Sequence, residues 1–314
     1  MAANERASHS GAARGAPFGQ SSAQAMVQAV LERPRPSTFP RAAILGRKLT
    51  PAEVAILETF VVPRYLEKFG EAVLNLMSIG STARVVHLGC RTGYPDRELF
   101  EMIDECSVVG VDASIAAIEL ARNKAATLRD LELDYQVATG YPTVLDASSF
   151  SHAMCLHPIG TERDRRDLFH EMQRLLYSGG QALVSLPLRG SFQEIADLIR
   201  EYALKHDQDE LGRAADRGVL GRPTMESLSE ELEDAGFDDI DVDVRQITLT
   251  FPNGRAFTED PITRLLVLPE LSAHMGIEDL SEPLQYVNDA IGRYWSRREL
   301  ELGVVVGTAS ARKT

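Results

Sequence analysis

The stretch Val85-Val86-His87-Leu88-Gly89-Cys90-Arg91-Thr92-Gly93, followed by Val108-Val109-Gly110-Val111-Asp112-Ala113-Ser114, constrains this chain most. It reads as a short buried strand, a glycine turn, a helix, a second buried strand and an acid at that strand's tip. Parallel strands joined through a helix make a doubly wound sheet, with ligands at the carboxyl ends of the strands. Glycine at 89 and 93 lets the backbone turn sharply and approach a ligand closely. Asp112, about twenty residues beyond the turn, is placed to accept hydrogen bonds from ribose hydroxyls. A nicotinamide-binding turn wants Gly-x-Gly-x-x-Gly; here Arg91 and Tyr94 stand at its second and third glycines.

The alternation continues along the chain. Strands are expected at 134–137, 150–156, 181–186, near 240–250 and at 300–306. Helices are expected at 97–106, 114–128, 164–176, 192–206 and from 224 to 235. Tyr177-Ser178-Gly179-Gly180 reads as a helix-ending turn. Ahead of the first strand, Thr50-Pro51-Ala52-Glu53 is a capping box with proline in the first turn. It opens a helical cap over 49–80 that Pro63 interrupts or kinks. A helical insertion at 258–297 precedes the last strand.

Composition sets outer limits. The 314 residues are 44% hydrophobic and 25% charged, ordinary for a globular chain with a sizeable core. A net charge of -13 argues against general nucleic-acid binding. Residues 1–50 carry seven Lys/Arg against two Asp/Glu, a net +5 that leaves -18 for the remainder. Residues 1–48 read as a disordered basic tail and linker, or else as a docking arm for a partner, and a short helix at 22–32 would suit either. Cys90, Cys106 and Cys155 suggest neither disulfides nor zinc, and are read as reduced thiols near strands of a cytoplasmic protein. No apolar run is long enough to span a membrane, and no secretion signal is apparent.

The ordered motifs resemble the class I S-adenosylmethionine (SAM)-dependent methyltransferases. The resemblance runs from about Leu49 to the C-terminus, which is read as one methyltransferase-like domain, 49–314. Val86 to Gly93 resembles the family's Gly-x-Gly-x-Gly motif, and Val109 to Ser114 the segment with the ribose-binding acid. Leu168 to Gly180 resembles the helix and Gly-Gly turn before the fifth strand, and Leu228 to Phe237 the Ala-Gly-Phe before the sixth. The resemblance implies an α/β, doubly wound, mostly parallel seven-stranded sheet with a reversed last strand. It implies SAM as cofactor, with Gly89, Cys90, Arg91, Thr92, Gly93, Asp112, Ala113, Thr139 and Gly140 around it. It departs from the pattern where His87 replaces an acid, where Arg91 replaces the middle glycine, and where Thr139-Gly140 replace the acid near the adenine.

Methyl transfer is an in-line displacement accelerated chiefly by alignment, and it needs a base only if the acceptor loses a proton as it attacks. His157, after the fourth strand, is the candidate base, or else a partly exposed loop histidine fixed by Pro158. His87 is read as structural or pocket-lining and His152 as core. Tyr65 is read as a lid or core residue, and Arg293-Tyr294-Trp295 as a lid, a dimer contact or packing. Glu230-Glu231-Leu232-Glu233-Asp234 is read as a solvated helix face. The expected function is methyl transfer to a small or medium-sized acceptor. The alternative is an inactive methyltransferase-like scaffold or regulatory module that docks a protein partner.

Overall fold

The computed structural model describes residues 47–128 and 131–314. The expectations for the tail and for a helix at 22–32 lie outside the described residues. Thr50 caps α1 (Pro51–Ile56), and its backbone N–H donates to the Glu53 carboxylate at 2.8 Å, completing the capping box. Pro63 neither breaks nor ends the helix. The chain widens into π-helical turns over Leu57–Leu66, which include Pro63, and continues as α2 (Glu67–Leu76). Gly70 seats the Tyr94 ring, which a Cβ at that position would meet at 2.5 Å, so the cap docks on the glycine turn.

Seven strands form one sheet in the order β3-β2-β1-β4-β5-β7-β6. They are β1 (Thr82–Leu88), β2 (Glu105–Asp112), β3 (Glu132–Val137), β4 (Phe150–Leu156), β5 (Leu176–Pro187), β6 (Phe237–Phe251) and β7 (Leu300–Lys313). β1 to β5 pair in parallel; β7 runs antiparallel to both β5 and β6. The reversed last strand and the doubly wound order agree with the sequence reading. Chain order reverses between β1 and β4, and a crevice opens there at the strands' carboxyl ends. All seven residues of β4 are buried, as a central parallel strand requires. One apolar cluster packs Val86, Leu88, Ala153 and Val184 against Phe169, Met172 and Leu228.

Several boundaries differ from expectation. The helix expected at 97–106 is only α3 (Leu99–Met102), because residues 91–98 are spent in turns and Cys106 belongs to β2. Ser114 caps α4 (Ile115–Ala125). α5 (Glu162–Leu175) feeds directly into β5, so Tyr177 to Gly180 lie in extended strand rather than a free turn, with Gly179 at φ 83°. α6 (Gln193–Lys205) is followed by α7 (Asp209–Leu220), a helix that the sequence reading missed. Its buried Leu211, Ala214, Ala215 and Gly218 nonetheless fall at helical spacing. α8 (Met225–Asp234) presents Glu231 not to solvent but to buried Arg165, in two bonds of 2.7 and 2.8 Å. The insertion is broken into α9 (Gly254–Glu259), π-helical turns at Thr263–Val267, α10 (Leu268–Met275) and α11 (Ser281–Tyr294). Pro261 and Gly276, the latter at φ 70°, punctuate it.

Candidate functional site

Gly89 leaves β1 at φ 69°, and the amides of Gly89 and Cys90 both donate to the Val111 carbonyl, at 2.8 and 3.1 Å. The turn is thereby pinned to β2. Arg91 follows at φ 49°, left-handed backbone that an arginine adopts at a cost of about 1–2 kcal/mol. Three bonds hold it there. Its amide donates to Asp112 Oδ2 at 3.0 Å, and its guanidinium donates to the carbonyls of Leu156 and His157 at 2.7 Å each. The Arg91 side chain therefore crosses from the tip of β1 to the tip of β4.

Asp112 ends β2 and is almost fully buried. Its Oδ1 accepts the Ser114 amide at 2.8 Å, as Oδ2 accepts that of Arg91. Each oxygen keeps a second acceptor direction. Burial pushes the Asp112 carboxyl up, against the opposing pull of those amides and the Arg91 charge. A ribose hydroxyl pair suits such a group, because it supplies donors without demanding a further charge.

These tips floor a cleft at the carboxyl edge of the sheet. Gly89, Arg91, Asp112, Cys155 and Leu156 lie along the floor; Leu49 and Leu57 of the cap and Leu265 and Leu266 of the insertion form an aliphatic roof. Arg47, held by Glu53 at 2.7 Å, and Tyr141 stand at its edges.

Of the nine residues expected around the cofactor, Gly89, Arg91 and Asp112 line this cleft. Cys90, Thr92, Gly93, Ala113, Thr139 and Gly140 do not. Gly93 has another reason to lack a side chain: a Cβ there would stand 2.5 Å from the Tyr135 hydroxyl, at φ 81°. Thr92 is buried with its hydroxyl unpartnered, while its carbonyl accepts from Lys124 at 2.9 Å. Cys90 is buried, and burial pushes its thiol well above the usual range. His87 faces away from the cleft. Its Nδ1 lies 2.6 Å from Asp96 Oδ1, and the Tyr135 hydroxyl donates to Asp96 Oδ2 at 3.0 Å. A buried carboxylate under the turn thus comes from Asp96 rather than position 87. His152 is core, bonded to Ser151 and the Ser78 carbonyl.

His157 is not a partly exposed loop residue. It is wholly buried at φ 47°, and its amide donates to the Ser185 carbonyl at 2.7 Å. Its carbonyl serves Arg91, whereas its ring turns into a cluster formed by the cap and the insertion. Nε2 lies 3.2 Å from the Tyr65 hydroxyl and 4.0 Å from Glu270 Oε2, and the ring meets Tyr65 and Phe69 edge-on. Glu270 is paired with buried Arg222 at 3.0 Å and lies 3.7 Å from His274. Burial lowers the His157 imidazole to about 4, so it is neutral at pH 7. Burial alone would raise the Glu270 carboxyl; Arg222 and the neighbouring histidines outweigh it and hold the group at about 2. His157 Nδ1, Glu270 Oε2 and one Arg222 amine are buried without partners. Tyr65 is core, and Tyr294 lies on the surface, donating to Glu201 at 2.6 Å. Glu270 and Arg222 escape sequence reading because they are 48 positions apart, with no spacing rule to join them. Among the described residues, no cluster of histidine, cysteine and acidic side chains is placed to hold a metal.

Residues 85–180 match the family model of a methyltransferase domain. No curated protein matches the sequence. Among solved structures, the chain is similar to the YcgJ protein from Bacillus subtilis, with 12% identity and TM-score 0.52, covering 79% of this chain and 98% of that one. A methyltransferase from Bacillus halodurans matches with 15% identity and TM-score 0.50, covering 78% and 99%. Phosphoethanolamine N-methyltransferase 2 from Haemonchus contortus matches with 16% identity and TM-score 0.52, covering 84% of this chain and 58% of that one. Residues 85–180 are thus a methyltransferase-domain segment, and the seven-stranded sheet around it has the order expected of the methyltransferase-like fold.

Proposed function

We propose that this chain transfers the methyl group of SAM to a small or medium-sized acceptor by in-line displacement. One observation carries the reading: the buried Asp112 carboxylate, at the tip of β2 on the cleft floor, keeps acceptor directions for a ribose diol. The Haemonchus enzyme, similar to this chain in fold, was solved with phosphomonomethylethanolamine and S-adenosylhomocysteine (SAH). When bound, SAM supplies an electrophilic methyl on a sulfonium.

The residues of the chain bind and orient. Asp112 anchors the ribose, Gly89 lets the backbone approach it, and the aliphatic roof excludes water over the reacting end. His157 was the expected base, but its neutral ring points into the Tyr65–Glu270 cluster. Its role in this reading is to position Arg91 through its carbonyl. The reading assigns no general base, which methyl transfer needs only where the acceptor loses a proton as it attacks. The free, buried Cys90, Cys106 and Cys155 accord with a reducing, cytoplasmic setting, and among the described residues no helix is long and apolar enough to cross a membrane.

Calorimetric titration with SAM and SAH, on the wild type and on Asp112→Ala, tests the proposal. Micromolar binding lost in the variant supports it and justifies an acceptor screen; no heat with either ligand at millimolar concentration removes it.

A further inference from the structure

Arg91 brings a fixed positive charge to a cleft proposed to receive a cation. The β-strand tips set the distances. β2, β1 and β4 lie side by side in the sheet, about 4.8 Å apart, so Asp112 and the Leu156–His157 carbonyls are roughly 10 Å apart. Arg91 spans the space between them, its amide on Asp112 and its guanidinium bonded to both carbonyls at 2.7 Å. Those carbonyls are the backbone acceptors at that tip that would otherwise solvate a ligand cation, and Arg91 already occupies them. A ligand anchored by its ribose at Asp112 and extending toward β4 must pass beside this charge. In SAM the sulfonium is separated from the ribose ring by one methylene, so a ligand extending from Asp112 toward β4 would bring its positive centre to the Arg91 side of the anchor.

We propose that Arg91 is a specificity-determining residue that sets the charge preference of the cleft. It disfavours the sulfonium ligand relative to its neutral thioether, SAH. This rests on the reading that Asp112 anchors an adenosyl ligand. SAM and SAH differ only in the methyl on sulfur and the charge it brings, and sinefungin, with a charge but no such methyl, separates the two. Like charges a few ångströms apart in a partly buried site repel by enough to shift affinity roughly tenfold or more. The opposing expectation is that Arg91 pairs with the ligand's carboxylate, which would affect both ligands equally.

The test is the ratio of dissociation constants for SAM and SAH, by calorimetry, in the wild type, Arg91→Met and Arg91→Lys. Sinefungin, which carries an amine in place of the sulfonium, is a third ligand for the wild type. The wild type should favour SAH over both cationic ligands by at least tenfold. Arg91→Met should bring the SAM-to-SAH ratio near one by tightening SAM, and Arg91→Lys should preserve the preference. A ratio unchanged in Arg91→Met overturns the inference, as does a variant that weakens both ligands alike. If no protein binds either ligand, the Asp112 reading falls too. If the wild type binds but Arg91→Met unfolds, the sinefungin comparison and Arg91→Lys decide.

Discussion

The floor and the roof of the cleft are built on opposite principles. The floor is local. Gly89, Arg91 and Asp112 lie within 24 residues of one another, and their polar groups are bonded largely to backbone. The roof is long-range. Leu57, Leu265 and Leu266 come from the cap and the insertion, which also bring Tyr65, Glu270 and His274 to His157 and Arg222, in a buried cluster whose charged groups pair side chain to side chain and leave three polar atoms unpartnered. A backbone-held site survives many substitutions because the strands define it. A site held by buried charge is intolerant, because removing one partner strands the other.

The largest expected effect is therefore in the roof. Arg222→Met leaves Glu270 buried without its main counter-ion and should destabilise by about 3–5 kcal/mol in urea unfolding. Adding Glu270→Gln should recover part of that loss, because both charges then go. Equal damage from the single and double variants would mean that packing, not charge, holds the roof.

Acid should break the roof next. The folded His157 pKa is near 4 against 6.5 unfolded, so between these values the unfolded chain binds more protons. Stability is full above pH 6.5 and falls by about 3 kcal/mol as pH drops to 4. The lowered pKa of His274 acts in the same direction. Below 4.5, Glu270 continues the loss, since its folded pKa is near 2. His157→Asn, which tolerates left-handed backbone, should flatten the melting-temperature profile between pH 6.5 and 4. A profile as steep as the wild type's would show that the buried imidazole is not the source.

On the floor the effects are smaller. Asp112→Asn turns an amide toward one backbone N–H and should cost about 1–3 kcal/mol in chemical denaturation, alongside its effect on ligand binding. Arg91→Gly should move stability by about 1 kcal/mol or less. The relief of left-handed strain offsets the loss of its two carbonyl bonds. A change near that of Arg222→Met would erase the distinction between floor and roof.

The same division explains what was legible in the sequence. Val85–Leu88, Val108–Val111 and Phe150–Leu156 are strands that propensity and pattern alone reveal, and the glycine turn between them declares the floor. Asp112 was readable because its place depends on a strand end. Asp96 was not, because its carboxylate takes up a place under the turn that the sequence pattern assigns to position 87. The insertion was read as one helical segment because its apolar spacing persists through Pro261 and Gly276. Nothing in the spacing of Tyr65, His157, Arg222 and Glu270 says that they meet. His157 looked exposed because it follows a strand and precedes a proline, and only the cap and insertion folding over it make it core.

The most direct test of the account is a crystal structure of the protein with SAH. The account expects the ribose hydroxyls within hydrogen-bond distance of Asp112, beneath Leu265 and Leu266, with the His157 ring still on Tyr65. A ribose placed elsewhere, with Asp112 keeping only its amide partners, would contradict it.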